Sequence, residues 1–326
     1  MIGLIILFFI SFGLTGIYRL YAIRKSIIDI PTSRSSHAVS TPRGGGIAIS
    51  ITWFIAITFL FLRKEINYSL FFALLSGLPI SAIGLIDDIN TIAPKVRFLV
   101  QLISSTMAIF FLGGINSIDI GFSQLHIPVL FSIIAIIGII WFTNLFNFLD
   151  GIDGYISAEI IFICLAAYIL SGSVLPLFLV SAVAGFLLWN WQPAKIFMGD
   201  VGSTLLGFTI GVFAIHYQNI NQFSIITWLM LSSLFWFDAT ITLFRRLKNH
   251  EKLSEPHKKH AYQRIVRFGF THQRTVISAM VINCVIFILI LLSATYPKFL
   301  LIFFFSNIVL LFFILNFIDR KFPFVK

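Results

Sequence analysis

Residues 128–154 read PVLFSIIAIIGIIWFTNLFNFLDGIDG, an apolar run that ends in a series of amides and carboxylates. The apolar part, 128–146, is long enough for a helix to cross about 30 Å of hydrocarbon at roughly 1.5 Å per residue. Polar side chains then recur every third residue, so a helix keeps them on one half of its surface. They are Asn144, Asn147, Asp150 and Asp153. The stretch predicts a membrane helix that ends in a polar site.

The composition of the whole chain predicts that lipid surrounds most of it. Of its 326 residues, 58% are hydrophobic and only 11% are charged, whereas a soluble domain carries about 25% charged residues. One globular core could not hide this much apolar surface, so the predicted class is an all-α polytopic membrane protein embedded in the lipid bilayer. The net charge of +10 is then assigned to membrane topology, and no nucleic-acid partner is expected.

Apolar stretches of spanning length recur along the chain and predict about eleven transmembrane helices. We treat 1–326 as a single integral-membrane domain, because no repeat or low-complexity linker divides it. The first stretch lacks a basic start and a small-residue cleavage site, so it is expected to be a retained helix. The predicted spans are 1–20, 46–62, 69–86, 98–114, 128–146, 156–171, 174–190, 201–217, 223–244, 276–294 and 299–318.

The basic residues predict the orientation of these helices. All but three of the 23 Lys and Arg residues fall in alternate loops, at the adjoining helix ends or in the C-terminal tail; the exceptions are Arg63, Lys64 and Lys298. This asymmetry places the N-terminus outside and the C-terminus in the cytoplasm. The cytoplasmic loops predicted to form the active face are 21–45, 87–97, 147–155, 191–200 and 245–275.

Five carboxylates gather on the predicted cytoplasmic face: Asp87, Asp88, Asp150, Asp153 and Asp200. A carboxylate near a bilayer is costly unless water, a cation or a partner compensates for it. Either a divalent metal with a phosphorylated substrate or a set of structural salt bridges would explain the cluster. Adjacent carboxylates such as Asp87 and Asp88 repel each other, which suits a general base beside a metal, although helix ends near water often carry Asp.

Two glycine-rich segments are candidates for binding phosphate. In Phe197-Met-Gly-Asp200-Val-Gly-Ser, a carboxylate at a helix start could reach a metal while free backbone N–H groups attract phosphate; an ordinary N-cap is the alternative. Residues 31–46, PTSRSSHAVSTPRGGG, contain hydroxyls, two Arg residues and three consecutive glycines. This loop is expected either to contact phosphate, through Arg43 among others, or to be a flexible connector.

The polar segment 245–275 contains a further candidate group. His257 and His260 have spacing that zinc could use, but no cysteine or third nearby histidine supports a zinc site. Contact of His260 and Arg264 with a diphosphate is the more economical hypothesis, and a solvated basic loop is the alternative. Asp238, about two turns before Arg245, is expected to make an internal ion pair.

The order and spacing of these motifs resemble the polyprenyl-phosphate N-acetylhexosamine-1-phosphate transferases, glycosyltransferase family 4, from about Pro31 to Arg264. The resemblance implies transfer of a sugar-1-phosphate from a UDP-sugar to undecaprenyl phosphate, with Mg²⁺ or alternatively Mn²⁺, and release of UMP. It also implies a multi-pass protein of the bacterial cytoplasmic membrane whose active site faces the cytoplasm. Whether two copies form a homodimer is left open.

The resemblance also implies roles for individual residues. Asp200 and Asn147 would ligate Mg²⁺, and Phe197 would lie against the uracil. Asp87 would act as the base, with Asp88 as electrostatic support. The nucleotide-sugar and diphosphate site would be lined by Asn144, Asn147, Asp150 and Asp153, with Arg43, His260 and Arg264 offsetting negative charge.

One departure concerns the sugar. Many family members carry a His-x-His-His run in the last loop, whereas this chain has His260-Ala261-Tyr262-Gln263. This version resembles the branch that initiates O-antigen or related lipopolysaccharide synthesis with UDP-linked N-acetylated deoxyhexosamines, such as N-acetylfucosamine or N-acetylquinovosamine. It leaves GlcNAc as the transferred sugar open to question.

Two other functions remain as alternatives. A secondary transporter or lipid flippase predicts acidic residues near the bilayer midplane and broken helices there. A phospholipid head-group transferase would also cluster Asp residues around Mg²⁺, but its Asp-Gly-x-x-Ala-Arg pattern does not occur in this sequence. The gathering of five carboxylates at one face favours the sugar-phosphate transferase.

Overall fold

The computed structural model describes residues 2–31, 39–252 and 257–324. The predicted phosphate-contacting loop of residues 31–46 therefore lies partly outside the described residues, as does part of loop 245–275. The helices are α1 (Ile2–Arg24), α2 (Gly46–Leu62), α3 (Tyr68–Leu75), α4 (Leu78–Ile89), α5 (Pro94–Leu112), α6 (Pro128–Leu149), α7 (Tyr155–Ser171), α8 (Leu175–Asn190), α9 (Asp200–Asn219), α10 (Ile225–Leu231), α11 (Ser233–Lys248), α12 (Ala261–Arg267), α13 (His272–Thr295) and α14 (Leu300–Lys321).

Besides the helices, the fold contains two very short antiparallel strand pairs. Strand β1 (Ile28–Asp29) pairs with β2 (Thr41–Pro42) before α2, and β3 (Ile118–Asp119) pairs with β4 (Gln124–Leu125) before α6. Several helices begin at a proline, such as Pro94 of α5, because the first helical position needs no backbone N–H donor. The β1–β2 pair brings Asp29 and Arg43 to the same end of the molecule as the start of α9.

Each of the eleven predicted spans overlaps a helix or a pair of helices. The third span is divided into α3 and α4, and the ninth into α10 and α11, which meet at a bend of 78°. Among the described residues, six helical segments pass as membrane spans by length and hydropathy, or seven if the bent pair counts as one. The chain is an all-α polytopic membrane protein, while eleven crossings and their orientation stay predictions.

Helix α9 forms the centre of the bundle. Every residue from Val201 to Phe213 is buried, because α2, α4, α5, α6 and α10 pack around it. Helices α1 and α14, in contrast, expose large apolar side chains, for example Phe9 at 62% and Phe313 at 65%. A helix that is apolar on its outer face and lies at the periphery is suited to contact with lipid. The polar end of α9 is therefore held inside the protein, away from lipid.

The crossing of α4 and α9 is close because Gly84 has no side chain. A methyl group added at Gly84 would lie 2.7 Å from the backbone nitrogen of Val201 and 2.8 Å from the carbonyl carbon of Asp200. Backbone atoms cannot rotate away as a flexible side chain would. The glycine therefore lets the end of α4 reach the first turn of α9.

Replacing Gly84 with alanine is expected to destabilise the protein by roughly 1–3 kcal/mol, the usual cost of overpacking a tight contact. The measurement is the midpoint of thermal unfolding in detergent. Gly138→Ala is the matched control, because Gly138 lies in α6, which also packs against α9, and an added methyl there meets nothing within 4 Å. Equal unfolding midpoints for Gly84→Ala and Gly138→Ala would contradict a tight crossing of α4 and α9 at Gly84.

Candidate active site

One cavity of about 280 Å³ opens where the ends of α4 and α6 meet the start of α9. Five carboxyl groups and a single arginine are among the side chains that line it, so acidic groups outnumber arginine and lysine on its wall. The lining residues predicted as site residues are Arg43, Asp88, Asn147, Asp150, Asp153, Phe197 and Asp200. The other polar side chains on its wall are Asp29, Asn190, Gln263 and His272.

The carboxylate of Asp88 accepts hydrogen bonds from the first backbone N–H groups of α9. The donors are the N–H groups of Asp200, at 3.0 Å, and Val201, at 3.2 Å. Asp88 thus supplies the cap that the start of a helix requires, and its negative charge interacts favourably with the helix dipole. Our expectation that these N–H groups are free to bind phosphate is wrong, because Asp88 already occupies them.

Asp150 completes the same arrangement from the end of α6. Its carboxylate accepts a hydrogen bond from the backbone of Gly199. Residue 199 must be a glycine, because its φ is +76° and a side chain there would collide with the carboxylate of Asp88. Burial, together with the negative charges of Asp200 and Asp88, raises the pKa of Asp150 to about 8. A cation in this cavity would relieve the repulsion that raises it.

The side chain of Asp200 is held by a residue that sequence reasoning assigned only to topology. One nitrogen of Arg97, Nη1, lies 3.0 Å from Oδ2 of Asp200 and 2.7 Å from Oδ2 of Asp87. The amide of Asn147 donates to the same oxygen of Asp200 at 3.0 Å. Arg97 lies in the first turn of α5, ten residues after Asp87. An arginine at a helix start that follows two adjacent acidic residues is the sequence signal from which its contact with the site could have been predicted.

Asp87 and Asn144 are predicted site residues that do not line this cavity. The carboxylate of Asp87 accepts from the backbone of Ile92 at 2.6 Å and pairs with Arg97. Asn144 exchanges hydrogen bonds with Gln101, at 2.7 and 3.3 Å, beside a smaller cavity of about 40 Å³ on whose wall Asp200 also lies. Asp87 is therefore linked to Asp200 through Arg97, whereas Asn144 is held by Gln101. The assignment of Asp87 as base stays a prediction.

Asp153 is fixed at the opposite wall of the cavity. Its Oδ2 accepts from the backbone of Ala194 at 3.1 Å and lies 3.3 Å from Nδ1 of His272, the first residue of α13. Asn190, at the end of α8, accepts from the backbone of Gly154 and donates to the carbonyl of Ile196, each at 3.0 Å. His272 and Asn190 carried no recognised motif, and only the folding of distant helices brings them to the cavity.

The glycine-rich loop before α2 packs against the segment that precedes α9. The sequence alone could not tell this packing role from phosphate binding. The backbone N–H groups of Gly45 and Gly46 donate to the carbonyls of Phe197 and Met198, at 2.9 and 2.8 Å. Their N–H groups are therefore already used, and the phosphate-cradle expectation is wrong for these two glycines. Arg43 lines the cavity and donates to the carbonyl of Asp88 at 2.8 Å, near the end of α4.

His260 and Arg264 are brought together with each other but not with the cavity. Nδ1 of His260 lies 3.9 Å from Asp238, and Nη1 of Arg264 lies 2.8 Å from Asp319. Their side chains are only 2% and 4% exposed. Neither residue lines the cavity in the described structure, and both side chains are buried beside acidic residues instead, so the geometry does not support their predicted contact with a diphosphate there.

The expected internal ion pair of Asp238 takes a different form. Both of its oxygens accept from the backbone N–H of Ala261, at 2.9 and 3.0 Å, so Asp238 holds the start of α12. Arg245, the nearby cation, pairs with Asp319 at 2.6 Å instead. The carboxylate of Asp238 therefore bonds to the first backbone N–H group of α12 and not to Arg245 on its own helix, α11.

A magnesium ion fits the donor set of the main cavity. Within residues 2–31, 39–252 and 257–324, no group of three or more His, Cys, Asp or Glu side chains is arranged to hold a metal by itself. Mg²⁺ however commonly binds through one or two carboxylates together with substrate phosphates and water. Asp200 and Asp150 face one cavity with too little positive charge around them, and both would accept such an ion.

Comparisons with known proteins agree with the geometry. The family model described as glycosyl transferase family 4 matches residues 70–218. The "Probable undecaprenyl-phosphate N-acetylglucosaminyl 1-phosphate transferase" of Bacillus subtilis is 28% identical over 312 residues, which cover 90% of this chain and 87% of that protein. The undecaprenyl-phosphate alpha-N-acetylglucosaminyl 1-phosphate transferase of Thermotoga maritima is 31% identical over 202 residues, or 61% of this chain and 60% of that protein.

A third relative comes from another branch. The phospho-N-acetylmuramoyl-pentapeptide-transferase of Streptococcus pneumoniae is 30% identical over 189 residues, which cover 51% of this chain and 56% of that protein. The segment matched by the family model contains Asp88, Asp150, Phe197 and Asp200, all on the cavity wall. The chain is thus similar to glycosyl transferase family 4 and to polyprenyl-phosphate N-acetylglucosamine-1-phosphate transferases, in agreement with the resemblance of its motifs.

Proposed function

We propose that the protein transfers an N-acetylhexosamine 1-phosphate from a UDP-sugar to undecaprenyl phosphate, giving an undecaprenyl-diphospho-sugar and UMP. The observation that carries the proposal is the start of α9, where Asp200 projects into a cavity shared with Asp88 and Asp150. The names of the Bacillus and Thermotoga relatives support the acceptor and the class of sugar.

In the proposed reaction, an oxygen of the acceptor phosphate forms a bond to the β-phosphorus of the UDP-sugar. The bond from this phosphorus to the bridging oxygen breaks, and UMP leaves with the electron pair. A phosphate monoester is already largely dianionic near neutral pH, because its second pKa is about 6. The larger task for the protein is therefore to bring several negative charges together.

The charge of the diphosphate would be offset mainly by Mg²⁺, or alternatively Mn²⁺, held by Asp200 and Asp150 and acting as a Lewis acid. Asn147 donates to Asp200 through its amide nitrogen and so orients that carboxylate, and its amide oxygen would serve as the predicted second ligand of the metal. Arg97 fixes the same oxygen from the other side. Arg43 supplies a fixed positive charge on the cavity wall.

The two ends of the nucleotide-sugar would occupy different parts of the cavity. Phe197, which the resemblance places against the uracil, is one of the residues that line the cavity. Gln263 lies on the wall at the position where the sequence departs from the family's histidine run. This departure favours an N-acetylated deoxyhexosamine donor and a role in initiating O-antigen or a related polysaccharide, while two of the relatives are named for N-acetylglucosaminyl transfer.

A cytoplasmic position for the site follows from the distribution of basic residues. The cavity lies at the ends of the helices where the Lys- and Arg-rich loops gather, and this is the side expected to face the cytoplasm. Since the polyprenyl tail would stay in the bilayer, a site at the membrane surface lets its phosphate reach the carboxylates. We place the protein in the cytoplasmic membrane of a bacterium, which the chain would cross eleven times.

The transporter alternative finds support in one feature. The bend of 78° between α10 and α11 divides the predicted ninth span near its middle, and broken helices are common at transporter binding sites. The carboxylates, however, gather at one end of the bundle and not along a path through it. This position of the carboxylates and the similarity to known transferases favour the transferase, and an assay of turnover separates the two functions.

The first prediction is that detergent-purified protein releases UMP when given undecaprenyl phosphate, Mg²⁺ and one member of a panel of UDP-N-acetylhexosamines. The panel includes UDP-GlcNAc and UDP-linked N-acetylated deoxyhexosamines, so it also identifies the donor. Release should require the lipid and should stop with EDTA. Folded protein that releases no UMP with any donor would favour the transporter.

The second prediction concerns Asp200→Asn. Removing the charge that would hold the metal should lower turnover by roughly a hundredfold to a thousandfold or more, with little change in thermal unfolding. Asp119→Asn is the matched control, because Asp119 lies in β3, far from the cavity, where it accepts from the backbone of Gly121. Near-normal turnover of Asp200→Asn would remove Asp200 from the site.

The third prediction concerns Arg97→Gln, which removes the cation shared by Asp87 and Asp200. Turnover should fall by about tenfold to a hundredfold, because charged hydrogen bonds contribute roughly 1.5–3 kcal/mol each. Lys95→Gln is the control, since Lys95 lies in the same first turn of α5 but is exposed. Equal turnover in the two variants would contradict a positioning role for Arg97.

A further inference from the structure

The last residues described, Asp319 to Phe324, fold back onto the segment that carries α12. The carboxylate of Asp319 accepts two hydrogen bonds from Arg245, at 3.0 and 2.6 Å. The same carboxylate lies 2.8 Å from Nη1 of Arg264. Nη1 of Arg264 also donates to the carbonyl of Phe322 at 2.6 Å. One carboxylate and one carbonyl thus tie the end of α14 to α11 and α12.

Aromatic contacts strengthen this connection. The ring of Phe324 lies 5.4 Å from the guanidinium carbon of Arg245, 5.6 Å from that of Arg264 and 5.5 Å from the ammonium of Lys259. Cations within about 6 Å of a ring centroid are attracted to its face. The ring of Phe322 packs 5.0 Å from that of Phe268, which follows α12 directly. The tail therefore contacts the residues on both sides of this short helix.

The other side of α12 contributes to the cavity wall. Gln263, next to Arg264 in sequence, lines the cavity, and its Oε1 accepts from the backbone of His260 at 3.3 Å. The hydroxyl of Tyr262 donates to the carbonyl of Phe148 at 3.4 Å. A helix of seven residues has few internal hydrogen bonds, so its position depends on such outside contacts. A change that frees Arg264 would also free Gln263.

We infer that the segment Asp319–Phe324 is a clamp that positions Gln263 at the cavity, so that the C-terminus controls affinity for the sugar end of the donor. This inference rests on the proposed function for the identity of the donor. Asp319 and Phe324 are positioning residues, because each acts through Arg264 and α12 and neither lines the cavity in the described structure. Arg264 of α12 thereby binds the tail and not the diphosphate.

The test compares Phe324→Leu with Phe317→Leu. Both substitutions remove a ring that faces a cation and keep an apolar side chain, but the cation that Phe317 faces is Lys321 of its own helix, at 4.7 Å, and Phe317 is exposed on α14. Phe324→Trp restores a ring face and is the rescue variant. Asp319→Asn is a second, independent way to weaken the clamp. Folding of each variant is checked by thermal unfolding.

Two measurements are made on the full-length protein. Hydrogen exchange of the amides of residues 261–268 should quicken by about fivefold to tenfold in Phe324→Leu, and stay unchanged in Phe317→Leu and Phe324→Trp. The KM for the UDP-sugar should rise by a similar factor while kcat changes less than twofold, because the tail affects binding and not the phosphate chemistry.

Unchanged exchange in both Phe324→Leu and Asp319→Asn would overturn the clamp. Faster exchange with an unchanged KM, or a fall in kcat alone, would overturn its link to the sugar. If the unsubstituted protein releases no UMP with any donor, the proposed function fails and the link to the sugar fails with it. The exchange measurement needs no turnover, so it would still confirm or contradict the clamp itself.

Discussion

The start of α9 is the constraint on which the rest of the structure depends. Its N–H groups have no partners within the helix, and the carboxylates of Asp88 and Asp150 are costly to place inside a membrane protein. The N–H groups and the carboxylates bond to each other: Asp88 accepts from the backbone N–H groups of Asp200 and Val201, and Asp150 accepts from that of Gly199. The contact requires a close helix crossing, which Gly84 permits. Asp200 is then left to project into the cavity.

This solution leaves an excess of negative charge that has a functional meaning. The helix start neutralises part of the charge of Asp88, and Arg97 neutralises part of that of Asp87 and Asp200. Arg43 is the only arginine or lysine on the wall of the main cavity in the described structure. A cavity with five carboxyl groups and one arginine would repel a bare diphosphate and would accept one that arrives with a divalent cation. The acidic wall is therefore suited to the metal-bound nucleotide-sugar of the proposed reaction.

The polar residues on the predicted cytoplasmic face separate into two groups with different roles. One group surrounds Asp200 and forms the cavity. The other joins Asp238, Arg264 and Asp319, and it fixes α12 and the C-terminal tail behind the cavity wall. Buried ions such as Arg264, whose side chain is 4% exposed, require fixed partners. In the proposed clamp the second group supports α12, from which Gln263 extends to the cavity.

The sequence by itself determined the class of protein, the approximate position of every predicted span and most of the carboxylates on the cavity wall. These features depend on the length of apolar runs, on the three-residue spacing from Asn144 to Asp153 and on glycines near Asp200, all of which are local. The tertiary structure alone decided which groups meet. Asp88 caps a helix 112 residues away, Arg97 reaches Asp200 across 103 residues, and Arg264 turns toward a tail 58 residues on. Each basic or acidic side chain had several partners of suitable charge in the sequence, and only the packing of α4, α5, α6 and α12 around the buried α9 and beside α14 selected one of them.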